Sequence, residues 1–262
     1  MSEKIDWDPI RNLARRVFER NEPLELTGDT RALLLKGARE VAISQQDAED
    51  ALSALPTAMI LLQEIKRRIH DGSWRLTRAR NRASELEDEG DLDGAQQQMR
   101  DVLAVEVVPL YREQAEATLN QLIKFSEVRE TGRLNPDLPD RPQLAVLAHR
   151  TQQGHALELT DDLRALHRRT APTADIGETE TEEALTSPEG AEALMGMILS
   201  RFQNAKRRLL RAMFRMTSLR DAGDLEGARQ QMRKVLAVEV VPRFRQAAEE
   251  QLRGLDEPPP EP

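Results

Sequence analysis

The stretch from Gly90 to Pro109 occurs twice in this chain, and that duplication limits the possible folds more than any single motif. Gly90-Asp91-Leu92-Asp93-Gly94-Ala95 through Val107-Val108-Pro109 returns as Gly223-Asp224-Leu225-Glu226-Gly227-Ala228 through Val240-Val241-Pro242, an offset of 133 residues. Across these twenty positions only Asp93/Glu226, Gln96/Arg229 and Asp101/Lys234 differ. The same offset carries Leu24-Glu25-Leu26-Thr27 onto Leu157-Glu158-Leu159-Thr160, and Arg31-Ala32-Leu33 onto Arg164-Ala165-Leu166, with no gap between. A unit of this size can bury its own core, so two self-standing domains are expected rather than a solenoid of short repeats.

The composition says what kind of domain. Apolar residues make up 39% of the 262, charged residues 32% and aromatics only 3%, a balance that suits amphipathic helices packed through Leu, Val, Ile, Ala and Met. The chain is therefore expected to be all-α: two tandem helical bundles of about five helices each. The first domain is placed at residues 1–124 and the second at 142–255. Residues 125–141 are read as a linker, because Gly132, Pro136 and Pro139 leave no room for a useful helix. Residues 256–262 (Asp-Glu-Pro-Pro-Pro-Glu-Pro) are read as a disordered tail.

Within the first copy, Ile10, Leu13, Ala14, Val17 and Phe18 predict an amphipathic helix over Asp6 to Arg20. Thr27 and Ser44 are expected to cap a second and a short third helix. From Pro56 a long apolar pattern runs to Leu86. It is expected to be one helix despite Gly72, because the second copy has Ala205 there and reads straight through. Gly90 should end it in the left-handed conformation, and Asp91 should cap the last helix. That last helix contains Pro109, or Pro242 in the second copy, and a kink is expected near Val105 and Val238. In the second copy Glu40-Val41-Ala42 becomes Thr173-Ala174-Asp175, with Pro172 and Gly177 nearby, and a third helix is placed at Glu178 to Leu185.

The run Gly-Asp-Leu-x-Gly-Ala-x-Gln-Gln-Met-Arg-x-Val-Leu-Ala-Val-Glu-Val-Val-Pro, with Leu24-Glu25-Leu26 and Glu40-Val41-Ala42-Ile43 upstream, resembles the DUSAM domain, a myxobacterial paralogous domain sometimes found twice in a chain. The resemblance covers most of residues 6–122 and 140–255. It implies a bacterial setting and supports the domain boundaries, but carries no catalytic residues over. The Gly-Asp-Leu-x-Gly-Ala turn also resembles the inter-helix turn of tetratricopeptide repeats. Without a 34-residue period this implies only tetratricopeptide-like helical hairpins.

Chemical motifs are few. With no cysteine, thiolate catalysis and thiolate metal sites are excluded. His70, His149, His155 and His167 lack the three- or four-residue spacing that puts two imidazoles on one helix face, and are read as solvent-exposed. Phosphate-binding and nucleophile-elbow glycine motifs are absent. Glu178 to Glu183 lacks the glycine and closing glutamate of a calcium loop and is read as a solvated helix start. No catalytic, cofactor-binding or metal residues are assigned, no cofactor is expected, and the chain is expected not to be an enzyme. No membrane partner is expected, no 18-residue apolar run occurs, and a cytoplasmic location is the default expectation.

What the two copies share is more pointed. Arg68, Arg75, Arg78 and Arg82 match Arg201, Arg208, Arg211 and Arg215, and steps of seven, three and four place each set on one side of the long helix. Glu106 and Glu239 occupy one position in the two Val-Glu-Val-Val runs, pointing into the apolar stripe of the last helix. A buried carboxylate needs a partner, so Glu106 is expected to be held by Arg78 or Arg75, and Glu239 by Arg211 or Arg208. The stripe is thus either an intradomain salt-bridge face or a binding face presented twice. The functional expectation is a non-enzymatic helical protein–protein interaction module in duplicate, its protein partner unidentified. The alternative is a nucleic-acid-binding regulator using the helix-turn-helix-like segment around Ser44 and the arginine stripe. The net charge of −8 disfavours it.

Overall fold

The structure is a computed structural model in which residues 5–255 are described. The segment 256–262, expected to be a disordered tail, lies outside the described residues. These residues form twelve α-helices and one 3₁₀ turn, with no strand among them. They divide into two compact units at Ser126/Glu127.

The first unit holds α1 (Asp8–Phe18), α2 (Gly28–Glu40), α3 (Gln45–Ala51), α4 (Leu55–Glu89), α5 (Leu92–Val105) and most of α6 (Pro109–Thr131). Local chemistry sets the helix starts. The Thr27 hydroxyl accepts from the Thr30 amide at 3.2 Å, Ser44 from Asp47 at 3.1 Å, and an Asp91 carboxylate oxygen from Gly94 at 2.8 Å. Helix α4 is the spine. Its apolar face, including Leu62, Ile65, Ile69, Leu76 and Leu86, is buried against α1, α2, α3 and α5. It ends at Gly90 (φ 80°), where the Asp91 amide reaches back to the Leu86 carbonyl, satisfying a carbonyl that the helix end would otherwise orphan. Gly72 does not interrupt α4. A Cβ there would stand 2.7 Å from Tyr111 Cε2, so glycine is what lets the Tyr111 ring lie on the helix and donate its hydroxyl to the Ile69 carbonyl at 2.9 Å.

The second unit repeats this order with α7 (Asp140–Gln152), α8 (Asp161–Thr170), the 3₁₀ turn Ala171–Ala174, α9 (Glu178–Ala184), α10 (Pro188–Asp221), α11 (Leu225–Leu236) and α12 (Pro242–Gly254). Helix α10 is unbroken like α4, and Asp224 caps α11 as Asp91 caps α5. At the Ala205 position no tyrosine has to fit. Phe244 takes the place of Tyr111 and meets Phe202 edge-on at 6.0 Å.

Three expectations are corrected. The kink near Val105 and Val238 is a complete break: α5 ends at Val105, Glu106 is extended (φ −76°, ψ 130°), and a new helix starts at Pro109. Proline at a first helical position needs no amide partner, whereas inside one continuous helix it would remove a bond and crowd the preceding turn. Each copy therefore has six α-helices among the described residues, one more than the approximate number expected. The stretch 125–141 begins as helix, with α6 running into it as far as Thr131. Phe125 and Val128 are buried in α6, which ends only at Gly132 (φ 73°), and α7 starts at Asp140, so the residues that bar a helix all follow the end of α6. Finally, His167 is fully buried in α8, at the position of Leu34 in the first copy, whereas His70 and His155 are exposed.

Candidate functional site

The long helix and the one after it form a hairpin in each copy, and the arginine stripe lies along the long helix. Its members separate by what they touch. Arg68 donates to the carbonyls of Val41 and Ala42 at 3.0 and 2.9 Å. Arg201 donates to those of Ala174 and Asp175 at 3.1 and 2.5 Å. Ala42 and Asp175 are both left-handed (φ 61° and 59°). The arginine thus satisfies carbonyls exposed where the chain reverses after the second helix, so the altered sequence Thr173-Ala174-Asp175 keeps the turn. In the first copy Glu64 also accepts from Arg68, and its carboxyl is held down to about 2, chiefly by the hydrogen bond from Arg67.

Arg75 donates to Glu106 Oε2, and Arg208 to Glu239 Oε2 at 2.5 Å. Glu106 is 2% exposed and Glu239 3%. The other oxygen of each carboxylate caps the break. Glu106 Oε1 accepts the amides of Val107 and Val108 at 3.0 and 2.8 Å, and Glu239 Oε1 those of Val240 and Val241 at 3.1 and 2.9 Å. One carboxylate therefore neutralises an arginine and supplies acceptors to amides freed by the missing helical turn. Sequence reading missed a second clamp: Arg112 donates to the carbonyls of Leu103 and Glu106 at 2.7 and 2.9 Å, and Arg245 repeats the bond to Leu236 at 3.0 Å. The offset of 133 that pairs Arg112 with Arg245 was a readable signal.

The rest of the stripe has no such task. Arg82 pairs with the exposed Glu85 at 2.9 Å. Arg78, Arg211 and Arg215 are exposed, with no hydrogen-bond or ion-pair partner among the described residues. In the first copy Arg75, Arg78 and Arg82 border an open groove of about 1000 Å³ between α4 and α5, whose rim includes Trp74 and Val105. Trp74 is 66% exposed, and on α10 the exposed ring is Phe214, at 75%. Neither was singled out from the sequence, because a lone aromatic off the apolar stripe gives no periodic signal.

The other candidate chemistry finds no support in the geometry. Among the described residues no three His, Asp or Glu side chains are placed to hold a metal. Glu178, Glu180, Glu182 and Glu183 are exposed, and Glu182 is engaged by Arg168. Helix α3, the reading helix of the helix-turn-helix alternative, carries Asp47, Glu49 and Asp50 and no basic residue. No described helix is long and apolar enough to cross a membrane.

The fold and the corner define the molecule as a tandem pair of all-α units, each built on a long helix whose half-exposed arginine holds a buried glutamate at the break after the next helix. The chain belongs to the family described as Protein of unknown function (DUF2379), whose sequence profile matches residues 5–122 and again 139–255. Comparison with curated proteins and with solved structures gave no match.

Proposed function

We propose that this chain is a non-enzymatic protein–protein interaction module in duplicate, each copy contacting a partner of its own through the exposed side of its long helix, in the cytoplasm. One observation carries this reading: each copy sets a large aromatic ring in water on that helix, Trp74 in one and Phe214 in the other. Beside them stand Arg78 and Arg211, the same residue in both copies, without an internal partner. Covering such a ring contributes roughly 1.5–3 kcal/mol that folding leaves unused. Trp and Arg together are the commonest residues to dominate a protein interface. The resemblance to the DUSAM domain is compatible with this reading and adds no residue role. The nucleic-acid alternative is weaker, because α3 offers no cation and Arg68 is spent on backbone carbonyls.

The test is affinity capture from a lysate of the source organism with the wild-type chain and with the Trp74→Ser/Phe214→Ser double variant. A protein retained by the first and lost by the second is the expected result. Equal retention by both would refute the assignment of this face.

A further inference from the structure

We propose that the α10/α11 face of the second copy, which corresponds to the groove side of the first, and not the first copy's groove itself, is a docking site for an acidic amphipathic helix of a protein partner. This rests on the interaction-module reading above and adds the partner's chemistry.

The first copy's groove is electrically balanced. Arg75, Arg78 and Arg82 face it together with Asp71, Glu85 and Asp101. Most of these charges are already matched: Arg75 by Glu106, Arg82 by Glu85 and Asp71 by Arg67. In the second copy each carboxylate position has lost its acid, since Asn204, Ser218 and Lys234 stand at the positions of Asp71, Glu85 and Asp101. Trp74 becomes Arg207. The resulting face carries Arg207, Arg208, Arg211, Arg215 and Lys234, and of these only Arg208 is neutralised, by Glu239. The other four are exposed and have no hydrogen-bond or ion-pair partner among the described residues. The nearby acids are occupied, Glu226 by Arg229 and Arg233 and Asp221 by Arg220. A concentrated, uncompensated positive face in a chain of net charge −8 is a local field that attracts acidic groups.

The apolar residues on the same face decide between acidic partners. Leu210 and Phe214 replace Thr77 and Asn81, one helical turn apart, and both are exposed, as is Val238 at the hairpin corner. Two aliphatic side chains and one ring, set among cations along a two-helix surface, match the helix-in-groove mode. There, apolar side chains at helical spacing fill the groove and flanking carboxylates meet the arginines. A nucleic-acid strand would engage the cations through phosphate but leave Leu210 and Val238 uncovered, and one ring is a poor stacking platform.

The experiment is fluorescence anisotropy on the full chain with a labelled amphipathic helix of about 18 residues carrying Leu on one face and Glu on the other. The same peptide with Lys for every Glu and a mixed-sequence single-stranded oligonucleotide serve as the other probes. The Glu peptide should bind, weaken as salt rises, and exceed the Lys peptide roughly tenfold or more. Arg211→Glu/Arg215→Glu should lower its affinity by a similar factor. Arg78→Glu/Arg82→Glu in the first copy should leave it unchanged, with thermal melting confirming that both variants are folded. Equal binding of the two peptides, equal loss from reversal in either copy, or an oligonucleotide that displaces the peptide at lower concentration would overturn the proposal. If Phe214→Ser weakens both peptides alike while charge reversal does nothing, the interaction reading stands and the acidic partner falls.

Discussion

In the first copy Arg75 holds Glu106, and Arg68 holds the carbonyls at the turn after α2. In the second, Arg208 and Arg201 do the same work on Glu239 and on the turn after the 3₁₀ segment. A few residues away on the same helices, several positions differ: Trp74 corresponds to Arg207, Asp71 to Asn204 and Asn81 to Phe214. The contrast separates two kinds of charged residue that look alike in a sequence. Arginines that satisfy buried acceptors are fixed by the cost of leaving those acceptors bare. Other side chains on the open face are held at most by exposed surface pairs, so that face can differ between the copies without cost to the fold.

The comparison breaks most readily at the corner. Glu106→Ala and Glu239→Ala should each destabilise their own copy strongly, by about 1–3 kcal/mol for each of the two amides left without an acceptor, in addition to the lost ion pair. Urea unfolding followed by an Ala-for-Glu series should show matching losses in the two copies. A large effect in one copy with none in the other would end the claim of a shared corner.

A smaller and one-sided effect is expected at the tyrosine. Gly72→Ala pushes a Cβ into the Tyr111 ring and should cost about 1–3 kcal/mol, although alanine is the better helix former. Ala205→Gly in the second copy should cost about 1 kcal/mol from helix propensity alone. If Gly72→Ala were stabilising, the close packing of Tyr111 would be wrong.

The smallest effect is a pH dependence confined to the second copy. His167 has its Nδ1 within 2.9 Å of the Leu163 carbonyl and no hydrogen-bond partner at Nε2, and burial pushes its pKa below the usual 6.5. The unfolded chain then binds a proton that the folded chain refuses. Stability is full above pH 6.5 and declines as pH falls below that value toward the depressed folded pKa. His167→Leu, which installs the residue found at Leu34, should remove this component. Melting temperatures of wild type and variant should diverge between pH 7 and 5, and parallel curves would contradict the account.

Much of this was legible in the residues. Thr27, Ser44 and Asp91 announce their helices because a capping side chain is a local event, and Gly90 announces an end because few other residues adopt its φ. The break at Glu106 was not legible. The apolar stripe of α5 continues past Pro109 in register, and proline at a helix start is indistinguishable from proline within one until the tertiary corner is known. Glu106 is consequently buried by the corner rather than by an unbroken helical stripe. His167 was readable in principle, for Leu163, Leu166, His167 and Thr170 are spaced as one buried helix face. Comparing the histidines only with each other hid it. The groove face could not be read, because exposure and the absence of a partner are properties of the fold.

The most direct test of the division between built-in and free arginines is thermal melting of four single variants in the full chain: Arg75→Met, Arg78→Met, Arg208→Met and Arg211→Met. The first and third strip the partner from a buried carboxylate and should cost about 3–5 kcal/mol in their own copy. The second and fourth change an exposed, unpartnered side chain and should stay within about 0.5 kcal/mol of wild type. Four equal melting temperatures, or a larger loss at Arg78 and Arg211 than at Arg75 and Arg208, would contradict the account.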